Sequence, residues 1–562
     1  VRRIEIPLGW QNAADDSVTT ESDLPDFVKN IMIPMNRQKG DSLPVSAFNG
    51  AEDGTYPTGT TQFEKRAIAI DVPYWDADKC IQCNQCSFVC PHGVLRPLLL
   101  TDEQIKGAPR GIPTRKATGY PGKHSTLGFS ALDCTGCGNC IAVCPAKDKA
   151  LELKPLSDNR DEFECLWLFV KDIEGIPLTR KEISTVKGSQ FLKPLIEFSG
   201  ACAGCGETPY AKLVTQLFGD RMVVSNSAGC ATVWGGSAPC VPYTKNHSGH
   251  GPAWGFSLFE DNAEYGYGLY LGAKTVRKNV VSKIRSLIQS GVDRETEEAM
   301  TRWLSAHDAS EGTRERADQL ATALAKHHQD PGFSDILKLK DYFIKQSNWI
   351  FGGDGWAYDI GYGGLDHVLA SGEDINVLVF DTEVYSNTGG QSSKATPTAA
   401  ITKFAASGKT TKKKDLGMMA MSYGYVYVAQ IAMGADKAQT LKAVLEAEAY
   451  PGPSVIIAYA PCVNHGIKGG MGQAQLQARR AVEAGYWSLY RYNPLRKKTG
   501  KNPFVLDSKD PSVPIKEFLL SEVRYSALAK QYPDIAKDLF KKAEMDAMER
   551  IDNYKRLARQ VY

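Results

Sequence analysis

Hydrophobic residues are gathered into short, dense runs in the C-terminal half of the chain. Apolar blocks at 349–351, 375–380, 425–431 and 454–459, each bounded by Gly, Pro, Asp or Asn, read as buried strands. Between the last two, residues 435–448 carry helical spacing and supply an intervening helix. Such alternation predicts an α/β fold with a doubly wound, mostly parallel sheet. The stretch 275–343 is different, being highly charged with Val280, Ile284, Leu287 and Ile288 at helical spacing, and is predicted to form helices packed outside the sheet. Residues 515–562 read as charged helix, expected to wrap a neighbouring domain or subunit. Residues 1–59, rich in Pro, Asn, Asp and Gly with little periodicity, read as the tail of a preceding domain and an extended linker.

Composition narrows the class. At 562 residues the chain exceeds what one core encloses, so more than one domain is expected. A formal net charge of +2 points neither to nucleic acid nor to a membrane surface. The longest apolar runs, 425–434 and 455–460, are too short to cross a bilayer, so no membrane span is expected. The start, Val1-Arg2-Arg3-Ile4-Glu5-Ile6-Pro7, has neither an initiator methionine nor a signal-peptide core and reads as the middle of a longer polypeptide.

The cysteines carry the first chemistry. Eight of the 14 form two copies of Cys-x2-Cys-x2-Cys-x3-Cys-Pro: Cys80, Cys83, Cys86, Cys90, Pro91 and Cys134, Cys137, Cys140, Cys144, Pro145. This is the bacterial two-cluster ferredoxin spacing, in which the fourth cysteine ligates the other cluster. The expected sets are therefore Cys80, Cys83, Cys86 and Cys144 on one 4Fe-4S cluster and Cys90, Cys134, Cys137 and Cys140 on the second. Zinc prefers paired ligands to triplets, and disulfide frameworks belong to short secreted chains. A small α+β ferredoxin-like domain is placed over 60–175, enlarged by an insertion at 93–133, with the α/β domain over 176–562. Cysteines in cluster spacing without an export signal imply a reducing cytoplasm.

Of the remaining six, Cys202 and Cys205 form a C-x2-C in a glycine-rich turn, Cys230 lies in a stretch of small residues, and Cys462 follows the apolar run 455–460. These four are assigned to a third, proximal 4Fe-4S cluster; the competing reading is a C-x2-C redox disulfide with buried core cysteines. Cys165 and Cys240 are read as inert core cysteines. A second constellation is Gly352-Gly353-Asp354-Gly355 at the end of one strand and Asp381-Thr382-Glu383-Val384-Tyr385-Ser386-Asn387 at the end of another. A carboxylate and a hydroxyl at neighbouring strand tips suit an octahedral Mg2+ that also holds a diphosphate. Asp354, Thr382 and the Val384 carbonyl are the expected Mg2+ ligands, with Gly353, Gly355 and Asn387 toward the diphosphate. A surface turn is the plainer reading of Gly-Asp-Gly alone.

Together these motifs resemble the pyruvate:ferredoxin (flavodoxin) oxidoreductase family, from about residue 60 to the end. The Gly-Asp-Gly…Asn pattern is similar to the diphosphate-binding motif of thiamine diphosphate enzymes. The stretches 381–391 and 251–262 look like signatures of the long, single-polypeptide form. The resemblance implies three 4Fe-4S clusters, thiamine diphosphate and Mg2+, with coenzyme A as co-substrate. It implies oxidative decarboxylation of pyruvate to acetyl-CoA and CO2, reversible in principle, with two electrons passed to ferredoxin or flavodoxin. The glutamate that activates the cofactor's pyrimidine is expected outside this chain, on an N-terminal remainder of the same polypeptide, so the chain alone is expected to be inactive; a homodimer is expected. A related enzyme acting on another 2-oxo acid and a pure electron-transfer module are the alternatives. His465 reads equally as a partner of cluster or substrate and as a turn residue. His247 and His250 read as loop residues, and Lys412–Lys414 as a solvated face rather than a docking patch for an acidic partner.

Overall fold

The computed structural model describes residues 24–109 and 111–561. Thirteen strands form three sheets among these residues. Five belong to the cysteine-rich part: β1 (Asp71–Trp75), β2 (Leu95–Leu100), β3 (Arg115–Lys116), β4 (His124–Phe129) and β5 (Leu151–Pro155). Eight make the large sheet: β6 (Met222–Asn226), β7 (Ala253–Phe256), β8 (Ser347–Gly353), β9 (Asn376–Asp381), β10 (Tyr427–Ile431), β11 (Ser454–Tyr459), β12 (Tyr490–Tyr492) and β13 (Phe504–Leu506).

The large sheet runs in the order β13-β12-β10-β11-β9-β8-β6-β7, with β12 and β13 antiparallel at one edge and the rest parallel. The predicted α/β class and the four predicted strands are present, each within two residues of its expected bounds. β9, β10 and β11 are buried at every position, as strands covered on both faces must be. Alternate residues feed opposite layers: Ile350, Val377, Val379 and Ile457 face one core, Trp349, Phe351, Leu378 and Ile456 the other.

The second face is covered by helices Thr208–Phe218 and Lys437–Ala449 and by the cysteine-rich unit, whose Phe88, Val89 and Val143 enter the same core. That unit is therefore seated on the sheet. In it β1 and β5 pair antiparallel, framing both cysteine runs, and the 93–133 insertion folds into the small β2-β4-β3 sheet. The charged stretch forms four helices (Asn262–Ser290, Arg294–Ala306, Thr313–Ala325, Pro331–Leu337) around their own core of Val280, Ile284, Trp303, Leu320 and Phe343, outside the sheet as predicted.

Three expectations need correction. Helices Ile515–Leu520, Val523–Gln531 and Pro533–Ala558, expected to wrap a neighbouring domain or subunit, pack against this chain's own sheet. Phe518, Tyr525, Leu528, Leu539, Ala543 and Tyr554 form an apolar stripe on this chain's own sheet. Cys165 is exposed, because helix Leu156–Val170 buries the stripe Phe163, Leu166, Trp167 and Val170 and turns residue 165 outward. The stretch 28–48, expected to be extended, coils into short helices whose Val28 and Met32 pack on Cys240, a buried cysteine as expected. The expectations for residues 1–23 lie outside the described residues.

Tyr210 fixes the edge of the sheet that carries the chemistry. Its buried hydroxyl donates to the Tyr459 carbonyl at the end of β11 (2.9 Å) and accepts from the Met433 amide just past β10 (2.8 Å). Tyr210→Phe leaves that amide without a partner and should cost about 1–3 kcal/mol. A lowered denaturant midpoint with faster hydrogen exchange at Met433 is expected; unchanged exchange would contradict the role.

Candidate functional site

β11, β9, β8 and β6 are adjacent and parallel, so their C-terminal ends share one edge. The loops leaving them carry, in the same spatial order, Cys462, Thr382, Asp354 and Cys230. Crevices at such edges are where open α/β sheets hold ligands.

At the centre, Asp354 is wholly buried and its Oδ1 accepts from the Thr382 amide (3.1 Å) and the Thr382 hydroxyl (2.9 Å), while Ser393 donates to its Oδ2 (2.7 Å). Thr382 Oγ1 also lies 3.1 Å from the Val384 carbonyl and 3.1 Å from Ser386 Oγ. Glu383, between them, has φ of 63°, a left-handed turn that folds the Val384 carbonyl back over Thr382. The three expected Mg2+ ligands are thus brought together. Gly353 has open space where a side chain would stand, whereas a Cβ on Gly355 would lie 2.5 Å from the Tyr385 ring. Asn387 lies exposed in the loop after Ser386.

A buried ionic network stands behind these residues. Lys413 pairs with Asp381 (2.8 Å) and Glu383 (3.3 Å), and Arg524 with Glu383 and Glu522 (both 2.7 Å). Tyr358 donates to Asp381 (2.7 Å) and Tyr486 to Glu383 (2.5 Å). With Asp354, four buried carboxyl groups face the cations Lys413, Arg524 and Lys409, an excess of acid that a bound cation would offset. Burial, then the neighbouring Asp381, pushes the Asp354 carboxyl up to about 8. A carboxylate, a hydroxyl and a carbonyl together are the oxygen donors Mg2+ takes, so these residues fit it. Lys413 is thus no part of a solvated face; Lys412 alone pairs on the surface, with Glu549, and Lys414 covers the Tyr362 ring.

Thiols of the two ferredoxin-type runs crowd one another in the structure. Burial first, then neighbouring thiols, make Cys86 and Cys140 weaker acids than a free thiol: Cys86 feels Cys83, Cys80 and Cys144, whereas Cys140 feels Cys137, Cys90, Cys86 and Cys134. The exchange of fourth cysteines is therefore present in the geometry. The two copies also share a turn, with positive φ at Gln82 (55°) and Asn84 (59°) matched by Gly136 (65°) and Gly138 (83°). Amides of Gln82 and Gly136 each donate to the sulfur two residues back, Cys80 and Cys134, at 3.3 Å. Among the described residues no three His, Cys, Asp or Glu side chains close around a single ion. A four-iron cube instead needs sulfurs held apart around a cavity, and Cys80, Cys83, Cys86 and Cys144 line one together.

Cys205, Cys230 and Cys462 likewise face one another, and Cys462 also faces Cys202. Amides of Glu207 and Asn464 aim at Cys205 (3.4 Å) and Cys462 (3.5 Å). Gly206 permits the approach, since a Cβ there would meet the Pro461 backbone at 2.6 Å. This set adjoins the Mg2+ ligands. Cys230 donates to Ser386 Oγ at 3.6 Å, and His465 reaches the Thr382 carbonyl through Nε2 (2.7 Å) while Nδ1 accepts from the Cys462 amide (3.4 Å). His465 is therefore a buried bridge between the two strand tips. His247 and His250 lie in a turn built on Asn246.

Sequence reasoning passed over His92, Glu207, Lys212 and Ser386. Burial pushes the Glu207 carboxyl up to about 7, with Trp234 Nε1 donating to it at 2.7 Å, and it faces Cys205, Cys230 and Cys462. His92 donates from Nε2 to the Ala201 carbonyl (2.9 Å), beside Cys202, and its Nδ1 accepts from Thr135 (3.4 Å), beside Cys134. For His92 and Glu207 the signal was a position two residues after a cysteine, and for Ser386 its place in the loop after Thr382; Lys212 carried none.

Three family models match the chain: a domain of unknown function over residues 14–69, a 4Fe-4S dicluster domain over 79–148, and the C-terminal TPP binding domain of thiamine pyrophosphate enzymes over 338–458. Over 99% of its length the chain is 56% identical to the pyruvate-flavodoxin oxidoreductase of Enterobacter agglomerans, covering 48% of that protein. It is 53% identical over 99% of its length to the pyruvate:ferredoxin oxidoreductase of Moorella thermoacetica, again covering 48%. To the mitochondrial pyruvate dehydrogenase (NADP+) of Euglena gracilis it is 46% identical over 99% of its length, covering 31%. The chain spans about half the length, or less, of these relatives.

His92 gives a pH prediction. Burial pushes it down to about 4, below the ordinary histidine value of about 6.5, so the unfolded chain binds a proton that the folded chain refuses. Its contribution is fully present above pH of about 6.5 and is lost as pH falls toward 4, by roughly 3 kcal/mol. His92→Gln, which keeps a donor for Ala201, should flatten that part of the stability profile in urea titrations; an unchanged slope would contradict the assignment.

Proposed function

From a likeness to pyruvate:ferredoxin (flavodoxin) oxidoreductases that runs along 99% of the chain, we propose that this chain is the electron-transfer and diphosphate-binding part of such an enzyme. The observation that carries the reading is the joining of two sites at one sheet edge, with Ser386 touching both Cys230 and Thr382. On this reading Asp354, Thr382 and the Val384 carbonyl hold Mg2+, and Gly353, Gly355 and Asn387 approach the diphosphate of thiamine diphosphate. Bound thiamine diphosphate supplies the carbon nucleophile and electron sink that decarboxylation of a 2-oxo acid requires. Cys202, Cys205, Cys230 and Cys462 hold a proximal 4Fe-4S cluster, Cys90, Cys134, Cys137 and Cys140 a second, and Cys80, Cys83, Cys86 and Cys144 a third.

The chain's own contacts order the three sets. The Gly204 amide, inside the C-x2-C loop, donates to Cys137, and a Cβ on Gly472 would lie 2.3 Å from the Cys137 carbonyl, so the second set abuts the first. Cys86 and Cys140 face each other across the second and third sets. Cys83 opens onto a surface groove of mixed charge, with Lys187, Lys437 and Arg479 beside Asp436, Glu483 and Asp507, and this is where we place the docking of an electron carrier such as ferredoxin or flavodoxin. The buried ionic network keeps Asp354 and Thr382 in position, and His465, held neutral by burial, ties them to the Cys462 turn. The pyrimidine-activating glutamate and most of the coenzyme A site belong to the rest of the polypeptide, the substrate being pyruvate and the working form a cytoplasmic homodimer.

Two variants of the full-length enzyme, purified anaerobically, test the reading. Cys462→Ala should lower iron from about twelve to about eight per chain. Asp354→Asn should abolish Mg2+-dependent retention of thiamine diphosphate while leaving iron unchanged. Unchanged iron in the first variant, or unchanged cofactor retention in the second, would overturn the corresponding assignment.

A further inference from the structure

Lys212 is a buried lysine with no acidic partner. It lies on helix Thr208–Phe218, 2% exposed, and its ammonium leaves the α/β unit to enter the cysteine-rich one. There it donates to the Ser87 carbonyl and, at 3.3 Å, to Gln190 Oε1. Gln190 is held in that orientation: Ser87 Oγ donates to the same oxygen at 3.1 Å, and Gln190 Nε2 donates to Ser189 Oγ and Gln216 Oε1, both at 3.2 Å. Both hydrogen-bond partners of the ammonium are thus uncharged acceptors.

Among the described residues Lys212 makes no ion pair. The charged or titratable groups that act on it are Cys90, Cys86 and Arg96, and Arg96 is engaged with Glu197. An isolated ammonium in a dry interior is strongly disfavoured unless an opposite charge lies near. Cys86 belongs to one ferredoxin-type set and Cys90 to the other, so among the described residues the negative charge available to Lys212 is that of the thiolates of both sets.

Resting on the cluster reading above, we propose that Lys212 is the shared counter-ion of the two ferredoxin-type clusters. A cluster held by four thiolates gains negative charge on reduction, so a fixed cation beside it favours the reduced form and raises its potential. One ammonium placed between the two sets raises both together. It is supplied by the helix that follows the Cys202/Cys205 loop, so the seating of one unit on the other sets the level of the relay. Lys212 is a positioning and tuning residue, touching no substrate.

The test is a redox titration of the anaerobically purified full-length enzyme, followed by electron paramagnetic resonance with iron counted in parallel. Lys212→Met, with wild-type iron, should shift both ferredoxin-type clusters to lower potential by at least tenfold in the reduction equilibrium, about 59 mV for one electron. The proximal cluster should stay where it was, and Lys212→Arg should keep wild-type potentials. Gln190→Glu, which places a carboxylate against the ammonium without removing it, should lower the same two potentials and decides the matter if Lys212→Met fails to assemble. Full iron with unmoved potentials in these variants would overturn the counter-ion role. Wild-type enzyme lacking the iron of these two sets would sink the cluster reading beneath it instead.

Discussion

The parallel alignment of β11, β9, β8 and β6 is the constraint on which the rest depends. Parallel strands end together, and here four neighbouring ends deliver Cys462, Thr382, Asp354 and Cys230 to one edge. No single loop could bring a thiol set and an oxygen donor set into contact through one serine. The sheet can be parallel because both faces are covered, and one of the covers is the cysteine-rich unit itself. Seating that unit on the sheet buries Phe88 and Val143 and also brings the Cys137 turn against the Cys202–Cys205 loop. Packing and wiring are the same contact.

A second theme is unbalanced buried charge. Around Asp354 four carboxyl groups face three cations, and around Lys212 a cation has no carboxylate partner among the described residues. A folded protein that left such charges uncompensated would be expensive to maintain. Each imbalance has the sign opposite to that of the group proposed beside it, Mg2+ in one case and anionic clusters in the other. The neutral state of His92 and His465 fits the same pattern, since His92 bridges the Ala201 carbonyl and the Thr135 hydroxyl, His465 bridges two backbone groups, and neither adds charge.

Much of this was legible before any coordinates. Cysteine spacing alone predicts which fourth thiol joins which triplet, because the constraint is local: a turn of fixed length wraps three sulfurs, and Pro91 and Pro145 direct the fourth away. Four of the eight strands of the large sheet, β8 to β11, were readable because strands buried on both faces are continuous apolar runs. Asp354 and Thr382 came with them, as polar residues at the ends of such runs. What stayed hidden depended on tertiary placement. Lys413 sits in a run of three lysines that reads as solvated, yet it is drawn inside by Asp381 and Glu383. Lys212 looks like one more charged residue on an amphipathic helix, and only the docking of a second unit buries it. Cys165 failed for the converse reason, since hydrophobic character does not say which face of helix Leu156–Val170 a residue occupies.

The central claim is that three clusters and one Mg2+-bound diphosphate cofactor share this chain. Anomalous diffraction at the iron edge from crystals of the full-length enzyme, grown anaerobically with thiamine diphosphate and Mg2+, tests it most directly. Three iron centres should appear, at Cys202/Cys205/Cys230/Cys462, at Cys90/Cys134/Cys137/Cys140 and at Cys80/Cys83/Cys86/Cys144, with the diphosphate over Asp354 and Thr382. Two iron centres only, or a diphosphate bound away from Asp354, would contradict it.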